Sequence, residues 1–253
     1  MFTRSRHRSR RPPPACQTEP VRTPLQVIAA LVAALVLTAC TSDEGSSGDP
    51  EERLDAAAAR LQDAPAIDFS IGTDELPRGV TGLLSVKGHG DTSPAFEGEA
   101  RVVAGGTTLP ADVIATDGKL WVKTGLSSEF LSIDPAQFGI PDPAQLVSGE
   151  DGVLSLLTSA TDLEEGEDVR DGRDVLTTIT GSLAGADVAR LLPTADESGT
   201  FEVEFRLNQD DELTDAVVTG PFYAGEDDVA YTLTITALDE PVEITEPARD
   251  AGR

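Results

Sequence analysis

The most constraining feature of this chain is a recurring alternation of apolar and polar residues. Ile67, Phe69 and Ile71 are spaced by two, as are Leu84 and Val86, Phe96 with Ala100 and Val102 after a gap, and Leu120 with Val122. A second series starts after residue 170: Val175, Thr177 and Ile179; Phe201, Val203, Phe205 and Leu207; Tyr231, Leu233 and Ile235. Successive side chains of a strand point to opposite faces, so this period means antiparallel sheet with one wet face. The interruptions carry turn chemistry: Gly88-His89-Gly90-Asp91, Gly105-Gly106, Asp117-Gly118, Asn208-Gln209-Asp210-Asp211 and Gly225-Glu226-Asp227-Asp228. Asp117-Gly118 reads as a two-residue hairpin joining 113–116 to 119–123.

Helices interrupt the alternation. Asp49 can cap a helix with Pro50 at its first position and Glu52 completing a capping box; Leu54, Ala57, Ala58 and Leu61 then form a narrow apolar stripe that stops before Pro65. Residues 143–159, with Leu146, Val147, Val153, Leu154, Leu156 and Leu157, are more apolar than a surface helix, and 186–192 forms a third helical piece ending at Pro193. The expected fold is a single α+β domain, a large antiparallel sheet with helices on one face.

The first forty residues have another character. Arg4, Arg6, Arg8, Arg10, Arg11 and Arg22 precede an apolar run from Leu25 to Leu37, too short to span roughly 30 Å of hydrocarbon comfortably. A basic flank, a short apolar run and small residues make a secretory signal. It ends in Leu37-Thr38-Ala39-Cys40, which resembles a bacterial lipobox. Residues 1–39 are therefore expected to be a lipoprotein signal peptide, and Cys40 the lipid attachment site on the extracytoplasmic face of the cell membrane. Cys16 leaves with the signal, so no intrachain disulfide supports the fold. Residues 40–49 read as a Gly/Ser-rich tether, 50–247 as the domain and 248–253 as a disordered tail.

The formal charge of −26 argues against nucleic acid as a partner, because phosphate neutralisation needs a basic face. Catalytic chemistry is thin. Beyond the signal the only histidine is His89, which reads as solvated turn polarity; there is no Gly-x-Ser-x-Gly elbow, and Cys40 has no partners for a zinc site. Glu164-Glu165-Gly166-Glu167-Asp168, Asp210-Asp211-Glu212 and Asp227-Asp228 lack calcium-loop spacing and read as a solvated acidic surface. No catalytic residue, metal or cofactor is expected. The chain is read as a non-enzyme.

Several motifs in order carry a family resemblance. Asp117-Gly118-x-Leu120-Trp121, Asp134-Pro135, Pro141-Asp142-Pro143-Ala144-Gln145-Leu146, Gly152, Leu156-Leu157, Gly220-Pro221, Val229-x-Tyr231-x-Leu233 and Val242-x-Ile244-x-x-Pro247 resemble the LppX/LprG/LprA/LprF lipoproteins of actinobacteria. The resemblance spans about residues 50–247. It implies a strongly curved sheet, a half-barrel, with helices across its concave face and an apolar cavity between, similar to the LolA/LolB carriers. It also implies binding of acylated lipids or glycolipids, their movement through the cell envelope, and work with a lipid exporter. One departure is Ser148-Gly149-Glu150-Asp151, where the family has a proline.

The expected cavity wall is Ile67, Phe69, Val86, Phe96, Ala100, Val102, Val122, Leu154, Leu157 and Val203. Ala100 and Ala104 are small for a tight sheet–helix core and leave room for a guest, or for the close approach of a helix. The alternative function is an anchored scaffold or sensory interaction module without lipid cargo, which the acidic surface would dock to a basic partner. A hydrolase using the scattered carboxylates is the third reading.

Overall fold

The computed structural model describes residues 48–247, apart from 92–93, 128, 139–140 and 149–151. The expected signal peptide, Cys40, most of the tether, the tail and the 149–151 departure lie outside the described residues.

Helix α1 (Pro50–Asp63) begins as its sequence dictates: the Asp49 carboxylate accepts from the Glu51 backbone N–H at 3.0 Å and Pro50 occupies the first turn. Its stripe of Leu54, Ala57, Ala58 and Leu61 is buried, together with Arg53. Arg53 donates from Nε to Asp211 at 2.7 Å and lies 3.7 Å from Glu165, and Arg60 donates to the Asp210 carbonyl. These contacts hold α1 against the turn at 208–211.

The strands follow as β1 (Ala66–Gly72), β2 (Gly82–Asp91), β3 (Ala95–Ala104), β4 (Thr107–Thr116), β5 (Lys119–Thr124) and β6 (Leu131–Ile133). Two short helices come next, α2 (Pro143–Ser148) and α3 (Ser155–Ser159), then β7 (Thr161–Glu165), β8 (Val169–Asp171) and β9 (Asp174–Ala184). Helix α4 (Gly185–Leu191) leads to β10 (Thr200–Leu207), β11 (Leu213–Gly220) and β12 (Val229–Leu238). All ladders are antiparallel, in the order β6-β5-β4-β3-β2-β1-β12-β11-β10-β9-β7, with β8 paired to β9. The sheet is open: β6 and β7 are its two ends. The β4–β5 turn has φ of 53° at Asp117 and 68° at Gly118, the left-handed pair that a two-residue hairpin requires.

The structure corrects the sequence reading in four places. Gly88-His89-Gly90-Asp91 is not a turn but the end of β2. Glycine serves close approach there: a Cβ at Gly88 would lie 2.1 Å from the Glu97 carbonyl oxygen, and one at Gly90 would lie 2.5 Å from Val147 of α2. A bulge between Leu83 and Ser85 makes Leu83, rather than Leu84, the partner of Val102. The apolar run 143–159 is two short helices, tied by the Val153 N–H donating to the Leu146 carbonyl at 2.8 Å. Strands β6, β7, β8 and β11 escaped the alternation, the first three because they are only three to five residues long and largely exposed.

A single apolar cluster joins Leu54, Ala58 and Leu61 of α1, Ala144 and Val147 of α2, Leu156 and Leu157 of α3 and the inward residues of the strands. Its densest part lies under β9–β12, where Phe201, Phe205, Leu207, Ile179, Leu183 and Ala216 are wholly buried. Phe201, Phe222 and Tyr231 stack edge-to-face at 4.8 and 4.7 Å. The Tyr231 hydroxyl donates to the Leu83 carbonyl and accepts from Tyr223 at 2.8 Å, stitching β12 to β2 beyond the end of the shorter β1. Burial pushes the Tyr231 phenol well above its ordinary value, and the Tyr223 hydroxyl adds to the shift.

A half-covered apolar face as candidate functional site

Strand register sorts the inward side chains of β1–β6 into four rows. The first, Ile67–Gly90–Phe96–Ala115–Leu120–Ile133, lies where the residues of α2 seat on the sheet. Ile67, Phe96, Ala115 and Leu120 are buried there. The second row is Phe69–Gly88–Gly98–Val113–Val122–Leu131, and the third is Ile71–Val86–Ala100–Ala111. The fourth, Leu83–Val102–Leu109, lies nearest the turns that join β3 to β4 and β5 to β6.

Cover thins along this series. Phe69, Ile71, Val86, Ala100, Ala111 and Val122 are only partly buried, though they pack against the core. Leu109 at the far end is 43% exposed, Leu131 on the edge strand β6 60% and Leu126 in the turn after β5 94%. The result is an apolar floor with small side chains, closed by a helix at one end and open to solvent at the other.

The ten expected wall residues divide across this gradient. Ile67, Phe96, Leu154, Leu157 and Val203 belong to the filled core. Phe69, Val86, Ala100, Val102 and Val122 are half-buried. Every strand member of the set is on the apolar face. The sequence reading missed the exposed rim of Leu109, Leu126 and Leu131, although the proximity of Leu109 to Gly105-Gly106 was a usable signal.

Two grooves lie elsewhere on the domain. One of about 660 Å³ crosses the polar face of β12-β1-β2-β3-β4, between Asp68, Ser70, Lys87, His89, Glu97, Glu99 and Asp112. His89 is thus a half-buried strand residue, not a turn residue. The other, about 480 Å³, lies among Thr180, Ser182, Glu202, Glu204 and Thr219 on the polar face of β9–β11. Neither is the enclosed sheet–helix hollow expected from the sequence. On the polar face Lys87 pairs with Glu99 at 3.0 Å and Lys123 with Asp112 at 3.7 Å, while Lys119 and Lys123 sit over Trp121 and Phe130. These cations are held by neighbours. Among the described residues no group of three His, Cys, Asp or Glu side chains is arranged to hold a metal, and no helix is long and apolar enough to cross a membrane.

An open antiparallel sheet with one half-covered apolar face defines the class, and comparison supplies the family. The profile of the LppX_LprAFG lipoproteins matches residues 49–244, and the chain belongs to that family. The fold is similar to that of LprF from Mycobacterium bovis, with a TM-score of 0.63 and 14% identity over 79% of this chain and 97% of that one. It is also similar to the lipoprotein LppX from Mycobacterium tuberculosis, with a TM-score of 0.54 and 15% identity over 78% and 98%. No curated protein sequence matches the chain.

Proposed function

We propose that this protein is a non-enzymatic envelope lipoprotein that holds the acyl chains of a lipid or glycolipid against the apolar face of β1–β5. The observation that carries the reading is the half-covered floor of Phe69, Ile71, Val86, Ala100, Ala111 and Val122, continuous with the core but only partly buried. Each methylene moved from water onto such a surface contributes about 0.8 kcal/mol when fully buried, so a few turns of chain outweigh the ordering cost of the guest. The sugar or phosphate head stays in water. Cys40, acylated after loss of residues 1–39, would anchor the domain through the 40–49 tether, and an exporter would receive the cargo. The membership of a lipoprotein family supports the anchor.

The test is Ala100→Trp. Ala100 is half-buried in the middle of the floor, so the indole occupies the space of the guest without entering the packed core. Lipid extracted from the purified variant should fall at least tenfold by mass spectrometry, with an unchanged circular dichroism spectrum. Undiminished lipid on the folded variant would remove Ala100 from the wall. A wild-type chain with no extractable lipid would favour the scaffold reading.

A further inference from the structure

We infer that the exposed leucine rim at the open end of the apolar floor is a membrane-docking edge that dips into a lipid bilayer. The inference rests on the carrier reading above and adds where the guest enters. Leu109 lies on β4, two residues before the Ala111–Thr124 rung, and Leu126 lies two residues beyond it. Leu131 pairs with Val122 on the edge strand β6. Leu109 and Leu131 extend the apolar face of the floor, and Leu126 stands solvated in the turn that follows β5.

Two observations select a bilayer as the occupant. The first is charge. Residues 102–111 and 124–128 contain no charged side chain, in a protein with a formal charge of −26. Asp117, Asp210, Asp211 and Glu212 sit in turns at the opposite end of the strands, while the acids that share the rim's end, Asp74, Glu75, Glu129 and Glu226 to Asp228, lie outside these two uncharged segments. The two uncharged segments of the rim approach an anionic surface without the repulsion that an acidic turn such as 208–212 would meet. The second is reach. Gly48 packs on Arg53, which is bound to Asp211, so the chain leaves the domain at the acidic end. The eight residues from Cys40 to Gly48 span at most about 29 Å. The ten-residue β4 is about 33 Å long. A domain held on such a tether can lie along the bilayer with its rim at the surface. Once the leucines enter the acyl boundary, the floor becomes continuous with hydrocarbon, and a lipid tail moves between the two without crossing water.

The test uses the full chain with Cys16→Ser and Cys40→Ser, carrying an environment-sensitive fluorophore on a single cysteine. Gly125→Cys places it at the rim, where a new Cβ meets nothing within 4 Å. Glu167→Cys places it on the exposed β7–β8 turn as reference. With vesicles of phosphatidylcholine and phosphatidylglycerol bearing brominated acyl chains, the rim label should be quenched about threefold more than the reference. Leu109→Ser combined with Leu126→Ser should bring it down to the reference level. Leu126→Ser alone, at a fully solvated position, gives the same direction with no risk to folding. Equal quenching at both labels overturns the inference. So does shielding of the rim label that grows with protein concentration in the absence of vesicles, which would place a second copy there. Lipid co-purifying with a chain whose rim stays unquenched overturns docking and leaves the carrier reading standing. A quenched rim on a chain devoid of extractable lipid supports docking and overturns the carrier reading.

Discussion

The two halves of the sheet use one apolar face in different ways. Under β9–β12, large side chains interlock and Phe201, Phe205, Leu207 and Ile179 see no solvent. Helix α1 touches β12 and β7, α4 touches β9 and β10, and the aromatic group of Phe201, Phe222 and Tyr231 fills the end of the layer. Along β1–β5 the same face carries Gly88, Gly98, Ala100 and Ala111, and the helix packed against β2, β3 and β4 is the six-residue α2. The contrast shows that alternation makes an apolar face, whereas side-chain size and helix length decide whether the face becomes a core or a surface for a guest.

The largest effect that would break this comparison comes from matched truncations. Phe205→Ala in the closed half should cost about 4 kcal/mol in urea denaturation, because a sealed site cannot collapse onto the void. Phe69→Ala on the open floor should cost about 1 kcal/mol, since water already reaches its ring. Equal costs would show that the floor is as tightly packed as the core.

A second effect sharpens the role of glycine. Gly88→Ala should destabilise by about 3 kcal/mol, because its Cβ would meet backbone rather than a side chain that can swing away. Gly125→Ala, in open space, should change the urea midpoint by no more than about 0.5 kcal/mol equivalent.

The smallest effect concerns the seam between the halves. Tyr231→Phe should cost about 1–2 kcal/mol by stranding the Leu83 carbonyl and the Tyr223 hydroxyl. It should also change the alkaline limb of stability. The folded phenol is raised above its ordinary 10.0, so below pH 10 it is protonated in both states and the contribution is intact. Above pH 10 the unfolded chain releases that proton while the folded chain keeps it, and stability falls as pH rises. Thermal melts between pH 8 and 11 should show a flatter fall in the phenylalanine variant.

Much of this was readable in advance. Alternation at Ile67, Phe69 and Ile71 and from Phe201 to Leu207 located strands and their inward faces, because a strand that exposes its apolar parity to water is unstable. Asp49-Pro50 and Asp117-Gly118 announced a helix start and a hairpin through local backbone chemistry. The glycines of β2 misled, since the residue that permits a turn also permits a strand to be approached closely, and the two uses differ only in what lies across from it. The rim leucines were missed for a related reason: exposure depends on what covers a residue, and the helix packed on β2–β4, α2, is six residues long.

By itself the sequence determined the period of the longer strands, the inward side of most of their apolar residues and the membership of a lipoprotein family. Those properties are local or additive along the chain. Only the tertiary structure decided that half of the apolar face is sealed and half left open. That outcome depends on how far α1, α2 and α4 extend over strands distant in sequence, and burial is a property of the assembled layer rather than of any segment in it.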